Sequence, residues 1–302
     1  MEKIRIAVMA ILLSIGLYSC STVAISGRNR VNLVPDSYVL EASFAQYQQF
    51  ISNAPKSKDQ AATRRVANIG QRIAKATDTY LRNIGMGADA DAYRWEFNLI
   101  AAPDVNAFCM PGGKIVVYEG ILPIASSDDE LATVVSHEVA HAMAKHANER
   151  MSQQILRQYG GTALSLMLAG KGYGTQQLAG ILYDVGSTAF FTLPYSRKHE
   201  YEADIIGLYL MALAGYDYHQ AENFWIKMSR GDKGGQNDLL STHPSDSKRV
   251  KAIREEIPKV DAFVSAGKKG APRPNNATSQ TSISNNLKEV NKGRNTPIKT
   301  HY

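Results

Sequence analysis

Apolar residues recur along the chain at two periods, and the changes of period divide it into elements. From Ser37 to Asn53, Phe44, Tyr47, Phe50 and Ile51 fall at helical spacing. From Asp59 to Arg82, Ala62, Val66, Ile69, Ile73, Ala76 and Tyr80 repeat that spacing more cleanly. Gly85 to Asp91 interrupts the pattern. Tyr93 to Ile100 then reads as a strand, and Ala107–Met110 with Ile115–Tyr118 reads as a hairpin about Pro111-Gly112-Gly113. Helical spacing returns over Ser126–Asn148, where Leu131, Val134 and Val135 make an apolar face. It recurs over Tyr195–Leu213 and over Asp217–Arg230, the latter with Phe224, Trp225 and Met228 inward. Gly231 to Asn237 is a loop, and Ser241-Thr242-His243-Pro244-Ser245 starts a last helix that runs through Arg254. The pattern predicts a predominantly helical α+β fold with a small antiparallel sheet beside the Ser126–Asn148 helix.

The two ends differ from this middle. In residues 1–19, Lys3 and Arg5 precede a short apolar run, Ile6 to Leu17, as in an export signal. Leu17-Tyr18-Ser19-Cys20 resembles the bacterial lipobox, so Cys20 is expected to carry a lipid and to anchor the chain to a membrane. Ser21 after that cysteine favours the outer membrane, with the protein facing the periplasm. Residues 20–36 read as an irregular tether, 37–265 as the folded domain and 266–302 as a disordered tail with too few apolar residues to fold. In the tail seven basic residues face Glu289 alone, which accounts for the whole net charge of +6. The basic balance therefore belongs to the tail, and no nucleic-acid partner is expected. Between Arg157 and Arg197 the only charged residues are Lys171 and Asp184. This stretch, apolar over much of 160–193, is read as buried helix, part of it a lid over a cleft.

Candidate chemistry sits in the middle. His137-Glu138-Val139-Ala140-His141 is an H-E-x-x-H pattern. Histidines four apart lie one above the other on a helix face and can converge on one metal ion, with Glu138 beside them as a base. Ser127 with Glu130 forms a capping box, and Asp128 and Asp129 suit the helix N-terminus. Glu200 and Asp204 are also four apart, on a helix whose Ile205, Ile206, Leu208 and Leu210 mark it as buried. A buried carboxylate pair needs a cation. The simplest assignment makes Glu200 the third ligand and Asp204 the group that orients a ligating histidine. Cys109 reads as a small apolar strand residue. His146 lies five residues beyond His141, about 140° round a continuous helix, which suits a structural role better than a ligand's. The hairpin before the metal helix is either structural or an edge that pairs with an extended peptide.

Four blocks occur in order: Asn106-Ala-Phe-Cys-Met-Pro-Gly-Gly, His137-Glu-Val-Ala-His141, Ser196-Arg-Lys-His-Glu200-Tyr-Glu-Ala-Asp204, and Thr242-His243-Pro244 with Arg249. Over about residues 30–255 they resemble the gluzincin family of zinc metallopeptidases that includes HtpX and the CAAX prenyl proteases. Within it, the lipobox makes the chain most similar to the LoiP-type bacterial lipoprotein branch, and more distantly to the BepA type. The resemblance implies one zinc per chain held by His137, His141 and Glu200, with Glu138 as general base. It implies that Asn106, Ala107, Phe108, Cys109 and Met110 form the edge that pairs with substrate. His243 resembles a family histidine that stabilises the oxyanion or takes the metal's fourth position, and Arg249 a basic residue near that site. The implied activity is endoproteolysis of misfolded or misassembled envelope polypeptides. A lipid-anchored scaffold with a mainly structural zinc is the alternative, and it gives Glu138 no task.

Overall fold

A computed structural model describes residues 20–32, 34–155, 157, 185–186, 195–231, 238–243 and 247–268. The export signal, most of the 160–193 stretch and the tail beyond residue 268 lie outside the described residues, as does the lid expected there.

The described residues begin with a short hairpin where an irregular tether was expected. Strand β1 (Cys20–Thr22) pairs antiparallel with β2 (Asn29–Val31), in register Cys20↔Val31. The turn between them carries Val23, Ala24 and Ile25, which are buried in the main core. Three apolar residues in a turn are what fastens this segment to the domain.

Helix α1 (Asp36–Asn53) buries Val39, Ser43, Gln46 and Tyr47, one stripe of a helix begun by Pro35. Helix α2 (Gln60–Asn83) is capped by Asp59, whose carboxylate accepts from the backbone N–H of Ala61 and Ala62 at 2.9 Å. The Gly85–Asp91 interruption contains one short helix, α3 (Gly87–Asp91).

Strands β3 (Glu96–Ile100), β4 (Ala107–Met110) and β5 (Lys114–Tyr118) form a three-stranded sheet in the order β3-β5-β4. It is mixed, where an antiparallel sheet was expected: β4 and β5 make the predicted hairpin, and β3 runs parallel to β5. The reason lies in β5. Its Ile115 and Val117 face the main core, and its Val116 faces a second cluster with Tyr47, Met110 and Met151. A strand apolar on both faces belongs at the centre of a sheet. The connection from β3 therefore passes over to the far side, leaving β4 as an outer strand. Gly112 and Gly113 close the hairpin at φ +83 each, and a Cβ on them would meet Phe44 at 2.4 Å and Trp95 at 2.5 Å.

Helix α4 (Asp128–Met143) begins with the capping box of Ser127 and Glu130 and is buried almost throughout. It stops sooner than its periodicity suggests. Ala144–Lys145 form a turn, with Lys145 at φ +54 tied to Asp36 at 2.5 Å and Asp89 at 2.7 Å, and helix resumes over residues 146–155. Helix α5 (Arg197–Ala214), capped by Ser196 and ended by Gly215 at φ +78, packs against α4. Close approach is possible because Gly207 faces α4, where a Cβ would lie 3.3 Å from Ser136 Oγ.

Helices α6 (Gln220–Gly231), α7 (Asp238–Thr242) and α8 (Ser247–Lys268) close the domain. The last helix starts later than Ser241 and runs well past Arg254, through Pro258 and into the first residues assigned to the tail. Its extension is held by Val260 in the core, by Tyr209 Oη on Glu256 at 3.0 Å and by Tyr218 Oη on Asp261 at 2.5 Å. Among the described residues no helix is long and apolar enough to cross a membrane.

Candidate metal centre

Helix α4 delivers His137 and His141 from one face, with their Nε2 atoms 3.0 Å apart. Helix α5 brings Glu200 against them, Oε2 at 3.3 Å from His137 Nε2 and Oε1 at 3.4 Å from His141 Nε2. From the segment after α7, His243 places Nδ1 at 3.3 Å from His137 Nε2 and 3.1 Å from Glu200 Oε1. One ligand atom from each of these four buried residues lies within 4.8 Å of every other. Glu138, also buried, has no hydrogen bond to either carboxylate oxygen, and His243 Nε2 is 3.5 Å from its Oε1.

A second layer orients the first. Asp204 Oδ1 lies 2.9 Å from His137 Nδ1, and Arg249 grips the same carboxylate through Nε and Nη2 at 2.7 Å each. Arg249 Nη1 reaches Glu200 Oε2 at 3.0 Å, while its guanidinium lies 3.9 Å over the ring of Trp225. The donors of Arg249 are turned to Asp204, Glu200 and the His243 carbonyl, so it steadies the carboxylates behind the site.

Charges follow from this packing. Burial would raise the Glu200 carboxyl, but His243, Arg249 and the two histidines of α4 hold it well below its ordinary range. Asp204 is likewise held low against burial, by Arg249 and His137. Burial would lower His137, yet Asp204 and Glu200 outweigh it and lift the imidazole to about 9. His141 is pushed well down by burial, and Glu138 is raised by it. Two imidazoles with one ionised carboxylate converge here, and that donor set suits zinc. The unpartnered Glu138 carboxylate beside them fits a base waiting for a proton donor.

Two features escaped the sequence reading. His146 was placed round the helix from His141, but the turn at Lys145 brings its ring back, and its Nδ1 meets His141 Nδ1 at 2.8 Å. On its other side His146 Nε2 meets Glu202 Oε2 at 2.9 Å. The Glu200-Tyr-Glu202-Ala-Asp204 run holds a third acid, and its odd spacing was the available signal. Tyr195 is the other: its ring packs on His141 at 3.8 Å between centroids, with the Arg150 guanidinium 3.6 Å over its far side. Cys109 is buried on β4, as expected of a strand residue. Asn106 precedes β4, its buried Oδ1 without a hydrogen bond.

Two ligand-bearing helices, a histidine pair one turn apart, an acid from the second helix and an adjacent free carboxylate define a metallopeptidase-type centre. The sequence comparisons name the family: residues 61–257 match the model of Peptidase family M48, and the chain belongs to that family. The mitochondrial metalloendopeptidase OMA1 of Schizosaccharomyces pombe is 40% identical over 169 residues, 55% of this chain and 47% of that protein. Its namesake in Arabidopsis thaliana is 40% identical over 181 residues, 58% of this chain and 35% of that protein. A putative beta-barrel assembly-enhancing protease of Vibrio cholerae is 27% identical over 212 residues, 68% of this chain and 41% of that protein. The chain thus spans about a third to a half of the length of these curated relatives.

The comparisons correct the expected location. Metalloendopeptidases named as mitochondrial share 33–40% identity with the chain, above the 27% and 24% of the two bacterial proteases. The outer-membrane, periplasm-facing assignment, and with it the lipoprotein branch, is withdrawn. A charged start followed by a short apolar run and a cysteine is too brief a pattern to name the membrane system that reads it.

Proposed function

We propose that this chain is a zinc-dependent endopeptidase that cuts unfolded or misassembled polypeptides, a protease of protein quality control. The observation that carries the reading is Glu138, a buried carboxylate without a hydrogen bond, set beside a four-residue cluster able to hold one metal ion. A purely structural metal has no use for such a base.

His137, His141 and Glu200 would hold the zinc, which when bound supplies Lewis acidity for polarising a peptide carbonyl and acidifying water. Glu138 takes a proton from the attacking water at its carboxylate and returns it to the nitrogen of the departing amine. Burial raises its pKa, which strengthens it as a base in the first step and leaves it a competent acid in the second. His243, whose Nε2 faces Glu138, donates toward the oxygen that gains charge. An extended substrate lies along β4, whose outer edge has no partner strand among the described residues, and its main chain hydrogen-bonds there.

The test is to incubate zinc-loaded protein with a permanently unfolded polypeptide, beside its Glu138→Gln counterpart, and to map new termini by mass spectrometry. Internal cuts made by the unmutated protein alone are expected. Equal cutting by both proteins would remove Glu138 from the mechanism.

A further inference from the structure

Behind His141 runs a buried line of polar groups that ends in the N-terminal hairpin. His141 Nδ1 is 2.8 Å from His146 Nδ1, and His146 Nε2 is 2.9 Å from Glu202 Oε2. Glu202 accepts from Arg28 Nε at 2.7 Å and from the hydroxyl of Ser26, both in the turn between β1 and β2 or directly after it. Arg28 also donates to Glu149, from Nη1 at 2.9 Å and Nη2 at 2.6 Å. Glu149 in turn lies 3.3 Å from His199 Nε2, and the His199 ring stacks on His146 at 4.3 Å between centroids. Every member of the line is buried.

These distances admit one arrangement of hydrogens with neutral imidazoles when His141 offers Nε2 to a metal. His141 then carries its hydrogen on Nδ1 and donates it to His146 Nδ1. That leaves His146 with its hydrogen on Nε2, donated to Glu202. Glu202, a carboxylate, accepts from His146, Ser26 and Arg28 together, so each step from His141 to Arg28 pairs a donor with an acceptor. The stack on His199 fixes the plane of the His146 ring, and the two-armed grip of Arg28 fixes Glu202 and Glu149 against each other. On the opposite side of the centre Asp204 acts on His137 directly. Here the same service reaches His141 through a second imidazole, and its last member comes from residues 26–28, outside the 61–257 span that matches the family.

We infer that the N-terminal hairpin is a working part of the metal centre: Arg28 is a positioning residue that sets the orientation of His141 through Glu202 and His146. The inference rests on the proposed function only in taking His141 as a metal ligand. It follows that changes in the hairpin alter metal affinity from a position that touches neither metal nor substrate.

The experiment measures zinc affinity of the full chain by competition with a chromogenic chelator, alongside thermal melting of the metal-free protein. Glu202→Gln, close in shape to the native residue, and His146→Asn are each expected to weaken zinc binding by about tenfold or more, the usual cost of losing an outer partner of a ligand. Arg28→Ala is expected to weaken it about as much, and Arg28→Lys, which keeps the charge, to recover part of the loss. In the His146→Asn background, Arg28→Ala should add no further loss, because its effect passes through that imidazole. Full additivity of the two changes would overturn the inference, as would native zinc affinity in Glu202→Gln. A lower melting temperature with unchanged affinity would reduce the hairpin to a structural strap and also overturn it. If His137→Ala bound zinc as well as the unmutated chain, the metal-site reading itself would fall. Zinc affinity that follows the variants while no polypeptide is cut would leave this inference standing and remove only the proposed activity.

Discussion

Asp204 and Arg249 meet through two parallel hydrogen bonds of 2.7 Å, fully buried behind the histidine pair. The pair does two things at once. Asp204 faces His137 Nδ1, and Arg249 also neutralises Glu200. Removing the arginine strands two carboxylates in the interior. Arg249→Ala is therefore expected to cost about 3–5 kcal/mol of stability. Asp204→Asn should instead keep most of the fold and loosen metal by about 10–100-fold. Denaturant unfolding and chelator competition separate the two outcomes, and matching profiles for both variants would contradict this division.

No side chain hydrogen-bonds the Glu138 carboxylate and only the Cys109 backbone lies beside it, so the isosteric amide can replace it with little change in packing. Glu138→Gln should melt within about a degree of the parent and keep its metal, because a neutral amide of the same shape is easier to bury than a carboxylate. Turnover should fall by about 10²–10⁴-fold, the range for loss of a general base. Metal content by mass spectrometry and initial rates on one peptide decide it. Loss of metal together with activity would recast Glu138 as part of the binding site.

Much of this centre was legible because helices convert spacing into geometry. His137 and His141, and Glu200 and Asp204, are each four apart, and four residues bring side chains back to one face. The same rule failed at His146, since the rule assumes an unbroken helix and Lys145 at φ +54 breaks it. Arg28 and Glu202 stand 174 positions apart, and no local pattern announces such a pairing. The direction of β3 was equally hidden: its own alternation reads the same in either sense, and the central place of β5 decided it. Arg249 could be brought near the site by resemblance, but only the fold shows that Asp204 and Glu200 claim its donors.

Glu149 predicts a response to acid. Burial would raise its carboxyl, but His199 and Arg28 prevail and hold it down at about 2. A carboxylate depressed in the folded state adds stability that is fully present above its unfolded value near 4.5 and is lost as the pH falls toward 2. The melting temperature of the metal-free protein should thus drop steeply below about pH 4.5, and Glu149→Gln should flatten that drop. Parallel curves for parent and variant between about pH 5 and pH 3 would show that other carboxylates govern acid unfolding.

Gly207 offers a test of how α5 is held at the working distance from α4. A Cβ there would sit 3.3 Å from Ser136 Oγ and 3.4 Å from the His137 backbone nitrogen, tight but within reach of a small adjustment. Alanine should be accommodated by a shift of the serine hydroxyl. Valine adds two further carbons against the α4 backbone, and the relief available is for the helices to part. Overpacking of this kind costs about 1–3 kcal/mol. Parting also carries Glu200 away from His137 and His141, because the ligands are divided between the two helices. Gly207→Val should therefore lose stability and zinc affinity together, with Gly207→Ala close to the parent in both. A valine variant with a lower melting temperature but native zinc affinity would mean that the helices do not set the ligand spacing, and that the loop carrying His243 compensates.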